Sequence, residues 1–211
     1  TSLPVLQAVA AADAAGPSRA SYSDVRVNTL GLGSDAEARR LLRKGLRHAW
    51  PAIQHFNWKF RSLKELEPKD VDVGYTAKDG TIFVKVRDPA KCASGGACFY
   101  SYPFVLATLL HELTHLSHLG HGKAFYRCLT GALAGCGAEP SVRREARLHV
   151  CAELLNAICD NDARRARALI ASLPEAVACA APGSSGQMPL EYAAHHGRVA
   201  LTRLLLEARA D

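Results

Sequence analysis

Residues 101–126 read SYPFVLATLLHELTHLSHLGHGKAFY and contain the longest apolar segment of the chain together with four histidines. Pro103 is tolerated in the first turn of a helix, and it stands directly before a long apolar run. The apolar side chains of that run cover most sides of a helix, which predicts a helix buried in the centre of the protein. These side chains are Val105, Leu106, Leu109, Leu110, Leu113 and Leu116.

Two histidines and a glutamate interrupt this apolar helix in the pattern His-Glu-x-x-His, at His111, Glu112 and His115. Residues i and i+4 lie one turn apart on the same helical face, so the two imidazoles can reach one Zn²⁺. Glu112 projects beside them and can accept a proton from water as a general base. Burying these polar groups without a partner would be unfavourable, so the pattern predicts a metal site.

A third histidine follows at the predicted end of the helix. Gly120 is a helix stop, and His121 comes directly after it, six residues beyond His115. A chain that leaves the helix at glycine can turn this imidazole back to the metal. Three protein ligands and one open position are typical of catalytic zinc. We predict His121 as the third ligand; His118 is the alternative, because it would lie nearly on the same helical face.

Other classes of zinc peptidase fit less well. The metzincin pattern has a glycine at the position of His118 and a downstream Met-turn, whereas the single methionine, Met188, lies in a distant segment. Some zinc peptidases take a glutamate ligand from a second helix, but His121 makes such a ligand unnecessary. The glutamates available for that role are Glu139, Glu145 and Glu153.

The segment before this helix contains an additional predicted helix. Residues 34–37, Ser-Asp-Ala-Glu, form a capping box that predicts a helix beginning there and closing or kinking at Trp50-Pro51. Residues 1–33 are rich in alanine, serine and glycine and are predicted to be a linker or disordered. One face of the helix is apolar and the other is cationic, which is typical of a solvated surface. The cations are Arg39, Arg40, Arg43, Lys44 and Arg47.

A small twisted sheet is predicted between the two helices. Residues 58–63, 71–77 and 82–86 alternate between apolar and polar side chains, as strands do. Asp79-Gly80 stands between the last two runs, which predicts an antiparallel hairpin. Residues 89–99 are predicted to be a loop, and the two cysteines in them are poorly spaced for zinc.

The composition excludes several classes of protein. Hydrophobic residues make up 48% of the 211 residues and charged residues 22%, which excludes wholesale disorder. No run reaches the ~18 apolar residues of a membrane span, so we expect no membrane partner. Seven cysteines without compact spacing argue against a secreted disulfide framework and favour a nuclear or cytoplasmic location. The formal net charge of +6 is compatible with nucleic acid binding. Because the chain begins at Thr1, we expect it to be a fragment.

The pattern around the histidines resembles the signature of the WLM domain family: His-Glu-x-x-His, five residues, His, three residues and an aromatic pair. Here the third histidine is His121 and the pair is Phe125-Tyr126. The resemblance covers about residues 34–135. One departure is Leu119-Gly120, where the family commonly has Gly-Pro. Upstream similarity includes Trp58, Phe104, residues 62–68 and residues 84–89.

This resemblance implies a zincin-like metalloprotease domain over residues 34–138, with Zn²⁺ as cofactor and Glu112 as the catalytic residue. Well-understood family members depend on DNA and degrade proteins crosslinked to it. The resemblance therefore implies protein substrates, single-stranded DNA as a partner and a role in DNA repair. The implied metal ligands are His111, His115 and His121. Candidates for stabilising the oxyanion are Tyr126, Tyr102 and His118.

The last part of the chain resembles ankyrin repeats. Residues 186–211 match one repeat, and residues 154–173 look like a degenerate one, with a turn at 182–186. About three repeats are needed for stability, so we expect more to follow. Residues 140–211 are therefore predicted to bind a protein partner or substrate, or to pack against the protease domain as a structural extension. His195-His196 is predicted to lie in a turn.

The predicted fold class is α+β, a zincin-like domain followed by all-α ankyrin-type repeats. The predicted function is a zinc endopeptidase that acts on DNA-associated or DNA-crosslinked proteins. Two alternatives remain open: a non-catalytic ankyrin scaffold with a retained zinc site, and a zinc peptidase unrelated to DNA. Glu112 favours an enzyme, because a structural zinc site needs no base.

Overall fold

The computed structural model describes residues 21–93, 98–172, 174–178 and 188–210. In this part of the chain a small sheet and several helices form a mixed α+β fold. The strands are β1 (Arg26–Asn28), β2 (Ser62–Glu65), β3 (Gly74–Thr76) and β4 (Thr81–Val84). The helices are α1 (Asp35–His55), α2 (Pro89–Ala93), α3 (Tyr102–Thr114), α4 (Lys123–Gly135), α5 (Pro140–Cys159), α6 (Ala163–Ser172), α7 (Pro189–His195) and α8 (Val199–Ala210). Short 3₁₀ turns lie at Tyr22–Asp24 and Pro174–Ala178.

The sheet has the strand order β1-β2-β4-β3, so β3 lies at one edge. The predicted antiparallel hairpin is confirmed: β3 pairs with β4, and Gly80 adopts a φ of +76°, which glycine tolerates. The other two pairings are parallel. β2 begins at Ser62, later than predicted. Trp58 and Phe60 are buried in the core but lie outside any strand. The Trp58 indole donates to Ser117 Oγ at 2.8 Å instead.

The described part of the predicted linker, residues 21–33, differs from that expectation. Val25 and Val27 are buried, and β1 pairs with β2 in register from Arg26 opposite Ser62. A three-residue strand is too short to produce a visible alternation, so the sequence pattern missed it. Residues 1–20 lie outside the described residues.

Helix α1 differs from the prediction in two details. Ser34 has a φ of +61° and makes no side-chain cap, so the predicted capping box is wrong. Asp35 instead accepts from Thr29 Oγ1 at 2.7 Å and from the Gly31 amide at 3.0 Å. The helix also continues past Pro51 to His55, because its apolar side remains packed on the core up to Ile53.

Helix α3 lies at the centre of the molecule, as its apolar sequence predicts. It begins where the sequence indicates, with Ser101 Oγ accepting from the Phe104 amide at 3.4 Å. Its faces pack against α1, α4, α5 and the strands β3 and β4. The fully buried side chains of α3 include Leu106, Leu109, Leu110 and Leu113.

The C-terminal helices share one core with the rest. The cluster of buried apolar residues extends from Val25 to Leu205, across the predicted domain boundary near residue 139. Helices α7 and α8 pack on each other, and Gly197 between them has a φ of +64°. The ankyrin assignment and the domain boundaries stay predictions, and the expected turn at 182–186 lies outside the described residues.

A short helix lies where the sequence predicted a loop. The segment predicted as a loop over 89–99 contains the short helix α2, and its residues 94–97 lie outside the part that the structure describes. In the described ranges, no helix combines the length and the apolar character needed to cross a membrane.

Candidate metal centre

Three imidazoles converge beside the end of α3. His111 lies in the last turn of the helix, His115 is its C-cap, and His121 lies in the loop before α4. His121 Nε2 is 2.9 Å from His111 Nε2 and 3.1 Å from His115 Nε2. Among the residues that the structure describes, these three histidines are the group that could hold a metal ion.

The loop that returns His121 differs from the prediction. Helix α3 ends at Thr114, well before Gly120, so Gly120 is not the helix stop. A turn follows at once, in which the His118 amide donates to the Thr114 carbonyl at 3.1 Å. The early end gives the chain room to reverse and bring His121 back over the helix terminus.

The tautomers of two histidines point their lone pairs at a common centre. His115 Nδ1 lies 3.0 Å from the His118 carbonyl, which only accepts, so the ring proton is on Nδ1. His121 Nδ1 faces a Glu153 carboxylate oxygen at 3.4 Å, which favours a proton there too. The two Nε2 atoms then both carry lone pairs, and two neutral acceptors 3.1 Å apart do not stabilise each other. A metal cation bound by both Nε2 atoms would remove this repulsion between lone pairs.

The spacing of these atoms suits zinc. Two nitrogens that bind one tetrahedral zinc ion at about 2.0–2.1 Å lie roughly 3.3 Å apart. The observed separations of 2.9 and 3.1 Å are close to that value. The donor set therefore fits a zinc ion bound by His111, His115 and His121.

Burial keeps these histidines neutral, which is the form that binds a metal. Desolvation lowers the pKa of His111 well below its usual value, with nearby His149 adding to the effect. Desolvation also lowers the pKa of His115 and of His121. For His121, the charge of Glu153 opposes that shift.

Glu112 follows His111 on α3 and is buried, with 5% of its surface exposed. Desolvation raises the pKa of its carboxyl group to about 8, and the hydroxyl of Thr76 opposes the shift. Thr76 Oγ1 lies 2.7 Å from the Glu112 carbonyl and 3.2 Å from Oε2, so it can donate to either. Thr76 could not be predicted as a site residue, because only the packing of β3 against α3 brings it close to Glu112.

Gly74 allows that packing. A Cβ atom at this position would lie 2.9 Å from Thr108 Cγ2, 3.0 Å from Glu112 Cγ and 3.0 Å from the Phe83 carbonyl. The edge strand can therefore lie directly against the site only because residue 74 has no side chain.

The three oxyanion candidates have different positions. Tyr102 lies at the opposite end of α3, where its hydroxyl is 2.8 Å from His48 Nδ1. His118 contributes its carbonyl to His115, and its imidazole is not in the cluster. Tyr126 lies against the cluster, with its ring centroid 6.3 Å from that of His121. The Tyr126 hydroxyl is buried and has no hydrogen-bond partner among the described residues, and burial raises its pKa.

Helices α5 and α6 bring further residues to the site, among them Glu153, one of the glutamates that the sequence offered as an alternative ligand; it faces His121 and is not in the ligand cluster. His149 lies with its ring centroid 5.7 Å from that of His111, and its Nε2 is 3.4 Å from Thr108 Oγ1. Glu153 faces His121 and forms an ion pair with Arg165. His149 and Glu153 are four residues apart on one helix, which places them on one face. The sequence does not show that this face packs on α3.

Solved structures similar to this chain include Wss1 from Saccharomyces cerevisiae, with 21% identity and a TM-score of 0.48 over 54% of this chain and 88% of that one. A Wss1 mutant from S. pombe has 21% identity and a TM-score of 0.45, over 52% of this chain and 94% of that chain. A search of curated proteins finds no match. The model of the WLM domain family matches residues 23–134, which is more than half of the chain. The chain therefore belongs to the WLM domain family.

Proposed function

We propose that this protein is a zinc-dependent endopeptidase that acts on DNA-associated or DNA-crosslinked proteins. The observation that carries the proposal is the convergence of three imidazole Nε2 atoms beside the buried carboxylate of Glu112. A structural zinc site does not need a base at this position. Membership of the WLM domain family agrees with this assignment.

The residues that would hold the metal are His111, His115 and His121. A bound zinc ion would supply a Lewis acid that polarises the scissile carbonyl and makes water more acidic. The remaining chemistry belongs to side chains of the chain itself.

Glu112 is the proposed general base. A bound zinc ion would favour the ionised form of this buried carboxyl group. The carboxylate then takes a proton from the attacking water and later returns it to the leaving amine. The Thr76 hydroxyl, 3.2 Å from Oε2, can donate to this carboxylate and so orient it. Tyr126 is the proposed oxyanion donor, because it is the candidate whose ring lies against His121, whereas Tyr102 lies at the opposite end of α3.

The proposed substrates and partners follow from the family resemblance and the charge. The net charge of +6 favours contact with single-stranded DNA, and such binding would place the peptidase beside proteins attached to that DNA. A nuclear location agrees with this role. Helices α7 and α8, with the ankyrin-like sequence, are proposed to bind a protein partner.

The test is cleavage of a histone by the zinc-loaded chain, with and without single-stranded DNA, beside Glu112→Gln. We expect cleavage by the wild type only, and only with DNA. Cleavage that ignores DNA would support a peptidase unrelated to DNA. If both proteins bind zinc and neither cleaves, the scaffold alternative replaces the catalytic proposal.

A further inference from the structure

We propose that Glu153, held by Arg165, is a positioning residue for the metal ligand His121. The inference rests on the proposed function, since it concerns the same metal site. It extends that site to α5 and α6, which lie beyond the segment that the family model matches.

The three histidines differ in what lies at Nδ1. His111 Nδ1 is buried and has no hydrogen-bond partner in the described ranges, whereas His115 Nδ1 lies 3.0 Å from the His118 carbonyl. His121 lies in the loop before α4, so no helix holds its backbone. Among the described residues, the group that faces its Nδ1 is the carboxylate of Glu153, at 3.4 Å.

A carboxylate at Nδ1 has two effects on a metal-binding imidazole. It keeps the proton on Nδ1, which leaves the Nε2 lone pair available, and it fixes the plane of the ring. Nε2 of His121 is the atom that lies near both other Nε2 atoms, so the orientation of this ring determines whether three ligands converge.

Arg165 holds the carboxylate in place. Its guanidinium pairs with Glu153, and it also lies 3.7 Å from Asp160 Oδ2. The start of α6 is anchored separately, because the Arg165 amide donates to Asp162 Oδ1 at 2.9 Å. The side chains of Glu153 and Arg165 are only 20% and 32% exposed, so neither is a freely solvated surface group. A continuous series of side-chain contacts therefore runs from Arg165 on α6 through Glu153 to His121.

The test measures zinc affinity of the full chain by competition with a chromogenic chelator, together with the visible spectrum of the Co²⁺-loaded protein. Removing the group that contacts the second ring nitrogen of a metal-bound histidine typically lowers metal affinity about 10–100-fold. We expect Glu153→Ala to weaken zinc binding by about 10–100-fold. Glu153→Gln keeps an acceptor oxygen and should recover part of the loss. Both should alter the Co²⁺ spectrum, which reports the ligand geometry.

Asp160→Asn is the matched control, because it removes a carboxylate that faces Arg165 but does not approach His121. It should bind zinc like the wild type. If the Glu153 variants do not fold, Arg165→Gln is the variant to measure. We expect it to bind zinc more weakly than the wild type, with a smaller loss of affinity than the one expected for Glu153→Ala. A zinc affinity of Arg165→Gln equal to that of the wild type would then contradict the proposal.

The His121→Ala variant distinguishes a failure of the proposed function from a failure of the positioning role of Glu153. If the wild type binds no zinc, the proposed function fails and the positioning role fails with it. If His121→Ala loses affinity while folded Glu153→Ala binds within twofold of the wild type and keeps its Co²⁺ spectrum, only the positioning role is overturned.

Discussion

Thr76 Oγ1 lies 3.2 Å from Glu112 Oε2, so the edge strand of the sheet contacts the carboxylate at the centre of the candidate active site. This contact joins the sheet to the metal-binding helix. A displacement of either the edge strand or the base would break this contact.

Replacing Thr76 with valine should slow catalysis without weakening zinc binding. Valine keeps the shape of threonine but removes the hydroxyl that orients Glu112. A hydrogen bond to a charged group contributes about 1.5–3 kcal/mol, so we expect kcat to fall by roughly 10-fold or more. The measurement is histone cleavage with zinc content determined in parallel. Thr202→Val, on α8, is the control; an unchanged kcat in Thr76→Val would remove Thr76 from the mechanism.

Replacing Gly74 with alanine should destabilise the protein. The new Cβ would lie 3.0 Å from the Phe83 carbonyl, which is backbone and cannot yield as a side-chain end can. Overpacking of this kind costs typically about 1–3 kcal/mol. Urea unfolding gives the free energy of unfolding directly. Gly135→Ala is the matched change, because its Cβ would meet nothing within 4 Å. Equal stability of the two variants would contradict the close packing of β3 on α3.

Acidification should destabilise the metal-free protein through His149. Desolvation lowers the pKa of this imidazole from 6.5 to about 4 in the folded state. Between these pH values the unfolded chain binds more protons, so stability falls as pH drops from 6.5 towards 4. The contribution of His149 is at most about 3 kcal/mol.

The measurement is urea unfolding at pH 7 and pH 5 for the wild type and His149→Gln. The three metal-site histidines act in the same direction, and Glu112, whose carboxyl pKa is raised, acts in the opposite direction. These contributions are common to both proteins. On acidification the free energy of unfolding of the wild type should therefore fall relative to that of His149→Gln. The same pH dependence in both would show that His149 is not desolvated in the folded protein.

Replacing Arg87 with methionine should have a large effect on stability. Arg87 Nε donates to Glu65 Oε1 at 2.7 Å, and the Glu65 side chain is fully buried. Methionine would leave that charge without its cation, which costs about 3–5 kcal/mol. Arg61→Met breaks the exposed pair with Asp79 and should change stability by about 1 kcal/mol or less. Chemical denaturation of the two variants compares them, and similar losses would mean that the Arg87 pair is not desolvated.

The local parts of the fold could be predicted from the sequence. The spacing of His111 and His115 on an apolar helix depends only on helical geometry, and the hairpin at Gly80 depends on the turn that Asp-Gly favours. The resemblance at His121 likewise depends on a short sequence separation. These features lie within one or two turns of chain, where periodicity and turn chemistry act directly.

Other features needed the tertiary structure. β1 is a three-residue strand whose formation depends on pairing with β2, and residues at the end of α3 turn away earlier than Gly120 indicates. Thr76 reaches Glu112 only because Gly74 lets the edge strand lie on α3.

The helix that carries His111, Glu112 and His115 follows from local sequence alone, because the repeat of an α-helix places these residues together wherever that helix lies. Their surroundings depend on tertiary packing. Glu153 reaches His121 because α5 packs across α3, and Arg165 reaches Glu153 because α6 packs on α5. Such contacts depend on how buried apolar faces fit together across long sequence separations, and no local pattern records that fit.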